Sequence, residues 1–231
     1  MSRPSSPRNA RTTRQVIIRG FEPSDAEALA QIFQQPAVVA GTMRTPHESI
    51  AKNAAMFAAD DLNRRILVAT LDERVVGNIS LDLERVGRRR HVAAIGMMVD
   101  ESFHSRGIGG ALLDAAIALA ERWLHVQRLE FDVHVDNVRG LALYRSRGFT
   151  IEGVARAFSL RDGVLVDAFR MARVGATLPY PRLTAEEAAS RPPPALPRSQ
   201  SPPTRRRKGG GGTGGSGTGG GGGWGTRGGE A

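Results

Sequence analysis

Arg106-Gly107-Ile108-Gly109-Gly110 stands directly before a stretch with helical periodicity. Glycines at the mouth of a helix leave main-chain N–H groups bare. Together with the positive end of the helix dipole and a neighbouring arginine, such a mouth suits an anion, and two adjacent phosphates fit it well. The spacing is too short for the phosphate loop of nucleotide hydrolases, and it also fails the Gly-x-Gly-x-x-Gly dinucleotide pattern. Taken alone, the same residues describe a plain strand-to-helix turn. The chain contains no cysteine, which excludes disulfides, thiolate metal sites and a cysteine nucleophile. Any chemistry must run on oxygen and nitrogen groups, and no metal site is expected.

The elements that position this mouth follow from patterning. QVIIRGF (15–21) reads as a strand, and Ser24-Asp25-Ala26-Glu27 reads as a capping box opening a helix that ends before Pro36. Thr45-Pro46-His47-Glu48 reads as a second box, with a helix to about Ala59. RRILVATL (64–71) and VVGNISLDLER (75–85) form a hairpin, and the nearly continuous apolar run HVAAIGMMV (91–99) predicts a strand buried on both faces. Residues 110–125 form a helix with the polar stripe Asp114, Glu121, Arg122 and His125. RLEFDVHV (128–135) is a strand, 137–147 a helix, and the last two strands turn at Asp162-Gly163. The order β-α-α-β-β-β-α-β-α-β-β predicts an α/β fold with a mixed sheet and helices on its faces, in which one crossover is parallel.

The formal charge of +9 is confined to the two ends of the chain. Residues 1–14 carry four arginines and no acid, and 182–231 carry eight basic and three acidic residues, so the span between is neutral. The reading is a disordered basic arm at 1–14, a folded domain at 15–176, and a disordered Pro/Arg/Gly-rich tail at 177–231. No signal-peptide pattern and no membrane span is expected, which implies a cytoplasmic protein.

Two motifs carry a resemblance. His104-Ser105-Arg106-Gly107-Ile108-Gly109 is similar to the Gln/Arg-x-x-Gly-x-Gly/Ala loop of the GCN5-related N-acetyltransferases (GNAT), with His104 in place of Gln or Arg. Asn137, Gly140, Tyr144, Gly148 and Phe149 follow that family's N-x-x-A-x-x-x-Y-x-x-x-G-F pattern, with Gly140 replacing Ala. The segments 35–49, 134–149 and 160–174 further resemble the bacterial subgroup that acetylates the α-amino group of free L-amino acids.

The resemblance implies an acyl-CoA N-acyltransferase fold and acetyl-CoA as co-substrate. Cofactor binding falls on Met97, Met98, Val99, His104, Ser105, Arg106, Gly107, Ile108, Gly109, Gly110, Asn137 and Tyr144. The backbone of Met97-Met98-Val99 would pair with the pantetheine arm. Tyr144 would be the general acid at the departing sulfur, and Asn137 would cap its helix and meet the arm. Ala93 falls where some members carry a catalytic glutamate, which leaves His91, on the same strand face, as a candidate base. Arg44 and Arg170 are candidates for a substrate carboxylate.

The expected reaction is direct attack by a small-molecule amine, most readily a free L-amino acid, on acetyl-CoA in a ternary complex. Protein N-termini and antibiotic amines are alternative acceptors. A non-catalytic acyl-CoA sensor or RNA-associated protein is the reading from another class, with Arg205-Arg206-Arg207-Lys208 making weak, salt-dependent phosphate contacts. Membrane partners are not expected, and a homodimer is left open.

Overall fold

The computed structural model describes residues 15–175. The expectations for 1–14 and 177–231 lie outside the described residues. In chain order the elements are β1 (Val16–Gly20), α1 (Ala26–Phe33), α2 (Pro36–Gly41), α3 (Ile50–Ala58), β2 (Arg64–Leu71), β3 (Arg74–Leu83) and β4 (Val92–Val99). They continue with α4 (Ile108–Trp123), β5 (Arg128–His134), α5 (Val138–Ser146), β6 (Thr150–Arg161) and β7 (Val164–Val174). The strands make one mixed sheet in the order β1-β2-β3-β4-β5-β7-β6. Only β4 and β5 are parallel neighbours, and α4 is the crossover between them, as the order of elements predicts.

The departures in helix placement lie in the first third of the chain. Pro36 does not simply stop a helix; it occupies the first turn of a further one, α2, behind Gln35. Its fixed φ and missing N–H suit a position whose N–H has no helical partner anyway. Asp25 acts one turn earlier than expected: its Oδ2 accepts from Glu22 N at 2.8 Å and pairs with Arg19, while α1 begins at Ala26. At the second expected box, Glu48 Oε1 accepts from Thr45 N and Thr45 Oγ1, but His47 has φ 63° and closes a turn. The helix starts four residues later than Pro46 suggests, at Ile50, with Ser49 accepting from Lys52 N.

Two apolar layers flank the sheet. On one face α4 inserts Leu112, Leu113, Ala116 and Ala120 against Ile79, Leu81, Ala93 and Ile95, all buried. On the other, Leu29 and Ile32 of α1 and Phe57 of α3 pack on Val68 and Met98. The second layer is short. Ala94 and Gly96 of β4 are exposed, so this strand is not buried on both faces along its length, as its composition suggested.

The decisive feature is a gap in the sheet. β4 and β5 pair only through Val92↔Arg128, Ala93↔Leu129 and Ala94↔Glu130, yet β4 runs on to Val99 and β5 to His134. Val92 O accepts from Glu84 N and Asp100 N donates to Val76 O, so the even-numbered peptide groups of β4 face β3. Peptide groups alternate along a strand, so those of Ile95, Met97 and Val99 point into the gap.

Candidate active site

The helix mouth sits at the open end of this gap. Gly107 is the N-cap of α4 with φ 80°, a left-handed conformation in which a side chain is strained. The first intrahelical bond runs from Ala111 N to Gly107 O at 3.0 Å. Ile108, Gly109 and Gly110 therefore present N–H groups that the helix itself cannot satisfy. A Cβ on Gly109 would lie 3.3 Å from Leu143, and one on Gly110 would lie 2.8 Å from Arg147 Nη2, so these two glycines let α5 approach α4 closely. Arg106 lies over the Phe103 ring at 5.0 Å, and it is not among the residues lining the cavity at this mouth.

His104 takes part differently. Its Nε2 lies 2.9 Å from Val99 O, a group that can only accept, so Nε2 carries a proton and ties the loop to the end of β4.

Behind the gap stands α5. Asn137 is its N-cap and accepts from Gly140 N at 2.9 Å. A Cβ on Gly140 would fall 2.8 Å from Asn137 Nδ2. At the other end Gly148 has φ 82°, Gly148 N donates to Arg145 O, and Phe149 N donates to Tyr144 O. This is a Schellman stop, and it fixes Tyr144 and Phe149 relative to each other. The Tyr144 ring packs 4.3 Å from Phe131 and 6.0 Å from Phe149. Burial alone pushes the phenol up to about 12, so its proton is retained throughout the neutral range.

A cavity of about 900 Å³ joins these parts. Its lining runs from Gly107–Gly110 past Met97 and Val99 to Asn137 and Tyr144, and continues to Ala40, His134, Asp136 and Arg161. The last group is assembled from afar: Arg161 of β6 donates to Ala40 O of α2 at 3.1 Å and also binds Asp136.

A model of the acetyltransferase (GNAT) family matches residues 26–149, and L-amino acid N-acetyltransferase AaaT of Escherichia coli (strain K12) is 39% identical over 160 residues. That alignment covers 69% of this chain and 98% of the relative. The chain belongs to the acetyltransferase (GNAT) family. Solved GNAT structures share the fold. yncA of Salmonella typhimurium, solved with acetyl-CoA, superposes with TM-score 0.64 at 21% identity, covering 73% of this chain and 99% of that one. A ribosomal-protein-alanine N-acetyltransferase from Brucella melitensis gives 0.62 at 23% identity, covering 68% and 99%. As a GNAT member the chain is an acetyl-CoA-dependent N-acyltransferase, and its residues fit that co-substrate. Bare amides at Ile108–Gly110 suit the pyrophosphate, and the gap-facing peptide groups of Met97 and Val99 suit the amide-bearing arm.

Within this GNAT site the expected residues are not all gathered. Met97 is half-buried toward α4 and Met98 is buried toward α1 and α3, so their side chains serve packing while the β4 backbone lines the gap. Ser105 (φ 61°) and Arg106 shape the loop before Gly107. His91 is not brought to the cavity. It lies before β4 at the closed end of the gap, where its carbonyl accepts from Gln127 N and Arg128 N. At about 3.3 Å per residue it stands roughly 20 Å from Met97.

Arg44 lies over Phe33 at 4.4 Å and pairs with Glu48, outside the cavity lining. Arg170 pairs with Asp132 on the open face of the sheet, also outside the lining. Arg161, His134 and Asp136 are cavity residues that the sequence reading passed over. The only local hint is that Asp136 adjoins Asn137, and that Arg161 ends a strand at an Asp-Gly turn. Among the described residues no cluster of three or more His, Asp or Glu is placed to hold a metal ion, and no helix is long and apolar enough to cross a membrane.

Proposed function

We propose that this chain moves the acetyl group of acetyl-CoA to the α-amino group of a free L-amino acid by direct attack in a ternary complex. One observation carries the reading: a continuous cavity leads from the bare amides of α4, through the gap between β4 and β5, to a walled chamber bordered by α2, the end of β5 and β6. The two reactants would approach from opposite ends. The likeness to AaaT, an L-amino acid N-acetyltransferase, supports a free amino acid as the acceptor.

The coenzyme supplies an activated acyl group when bound. The N–H groups of Ile108, Gly109 and Gly110 hold its diphosphate. Peptide groups of Met97 and Val99 align the arm, and one amide meets the thioester oxygen where negative charge develops. Tyr144 delivers its proton at the sulfur, and Asn137 holds α5 so that the phenol points there. Arg161 offers a cation to the acceptor's carboxylate from within the cavity, in preference to Arg44 and Arg170. A cytoplasmic setting is part of the same proposal.

The test is a panel of amines with acetyl-CoA, following release of free thiol. Saturable turnover with free L-amino acids and none with peptides, polyamines or amine antibiotics is expected. Turnover confined to peptides would replace the acceptor class.

A further inference from the structure

An ammonium cannot attack a thioester, and an α-amino group is largely protonated at neutral pH. The reaction therefore needs a proton acceptor on the acceptor side of the gap. Among the described residues lining the cavity, His104, His134 and Asp136 are the titratable groups able to accept a proton in the neutral or acidic range. His104 donates Nε2–H to Val99 O and belongs to the loop before α4. Asp136 is clasped by Arg161. His134 remains.

His134 is 4% exposed and ends β5. Leu129, Phe131 and Val133 of that strand pack into the α4-side core, so His134, next in alternation, faces the opposite side, where α2 and β6 wall the chamber. Its Nε2 lies 2.9 Å from Ser159 Oγ, while Nδ1 is enclosed without a hydrogen-bond partner. A buried polar nitrogen left unpaired is costly, and the residue that carries this one belongs to the cavity wall.

We propose that His134 is the general base, with Nε2–H donated to Ser159 Oγ and Nδ1 receiving a proton of the acceptor's ammonium. This rests on the acyl-transfer reading above and names a residue for it. The nitrogen loses one proton to Nδ1 and forms the C–N bond with the freed pair as the C–S bond breaks. The sulfur takes the Tyr144 proton, the second nitrogen proton restores the phenol, and the imidazolium returns its proton to water.

The surroundings keep the ring neutral and ready. Burial lowers its proton affinity, and Arg161 lowers it further, against the opposing pull of Asp136 and the Ala40 carbonyl. The other neighbours are uncharged at the ring: Phe158 of β6 stands edge-on at 6.5 Å, and Ala168 of β7 lies opposite. Asp132, two residues back on the same face, is held by Arg170.

His134→Gln keeps a donor for Ser159 and removes the base. With a free L-amino acid, kcat at neutral pH should fall about 100-fold or more, the acidic limb of its pH profile should move up toward the ionisation of the amine itself, and coenzyme A binding by calorimetry should be unchanged. With the corresponding α-amino nitrile, whose amine is already neutral near pH 7, the loss should be only a few-fold. Undiminished kcat with the acidic limb intact, or equal losses on both amines, would overturn the proposal. Ser159→Ala is the second variant: removing an acceptor from Nε2–H disfavours the imidazolium, so the acidic limb should move to lower pH. An unmoved limb would overturn the assignment. The acceptor class fails separately: if the unaltered protein turns over peptides or polyamines and not amino acids, the same variants are compared on the amine that reacts.

Discussion

The two ends of the cavity are built in opposite ways. The end proposed for the coenzyme is local: the β4 backbone, the glycine mouth and α4 follow one another between residues 92 and 123. The groups it offers are main-chain amides, whose direction is set once a strand, a left-handed glycine and a helix succeed one another. The end proposed for the acceptor is distant: Ala40, His134, Asp136 and Arg161 come from separate elements and meet only when the hairpin of β6 and β7 folds across to α2. Local construction makes a site tolerant of side-chain change and sensitive to backbone conformation. Distant construction makes it the reverse.

Four measurements sharpen or break that contrast. The largest effect is expected where the two ends meet. Tyr144→Phe should reduce kcat about 100-fold with coenzyme A binding retained, because only the transferable proton is lost. Unchanged turnover at every pH would remove the phenol from the reaction.

Next is alkaline stability. The buried phenol is held up to about 12, against an ordinary value near 10, so the folded state binds this proton more tightly than the unfolded chain. That contribution is complete below about pH 10 and is lost progressively as the pH rises to about 12, a change of roughly 2–3 kcal/mol. Denaturant titrations should show a shallower alkaline decline in Tyr144→Phe.

Third, Gly107→Val places a β-branched residue at φ 80° with open space around it, so the penalty is conformational rather than steric crowding. Coenzyme A affinity should weaken about tenfold, as a strain of about 1–2 kcal/mol is relieved by moving the amides.

The smallest effect belongs to Arg161→Met. It unfastens β6 from Ala40 and Asp136, and should raise the acceptor's KM by a few-fold, on the order of the worth of one hydrogen-bonded ion pair, with coenzyme A binding untouched. A loss of coenzyme affinity in this variant would show that the two ends are coupled.

Legibility in the sequence follows the same division. Tyr-x-x-x-Gly-Phe at 144–149 can be read because it is a helix stop: Gly148 must be left-handed, and the Tyr144 carbonyl must receive Phe149 N. The glycine mouth can be read for the same kind of reason. The box-like spacings near Ser24 and Thr45 mark turns ahead of their helices: Asp25 accepts from Glu22 N, and Glu48 accepts from Thr45 N. The additional helix at Pro36 was hidden because proline both ends helices and begins them. Strand alternation puts His91 on the same face as Ala93, but the pairing of β4 with β5 sets it at the closed end of the gap.

Apart from the short helix at Pro36, the order of elements, the parallel crossover and the bare amides of α4 are legible locally, because short-range sterics and alternation decide them within a few residues. Long-range packing sets where β4 and β5 part, and it brings His134 and Arg161 to the chamber. Those depend on contacts such as that between Ala40 and Arg161, which lie 121 positions apart. No local preference of either residue encodes that meeting, because it is fixed by how the whole sheet and its hairpin pack.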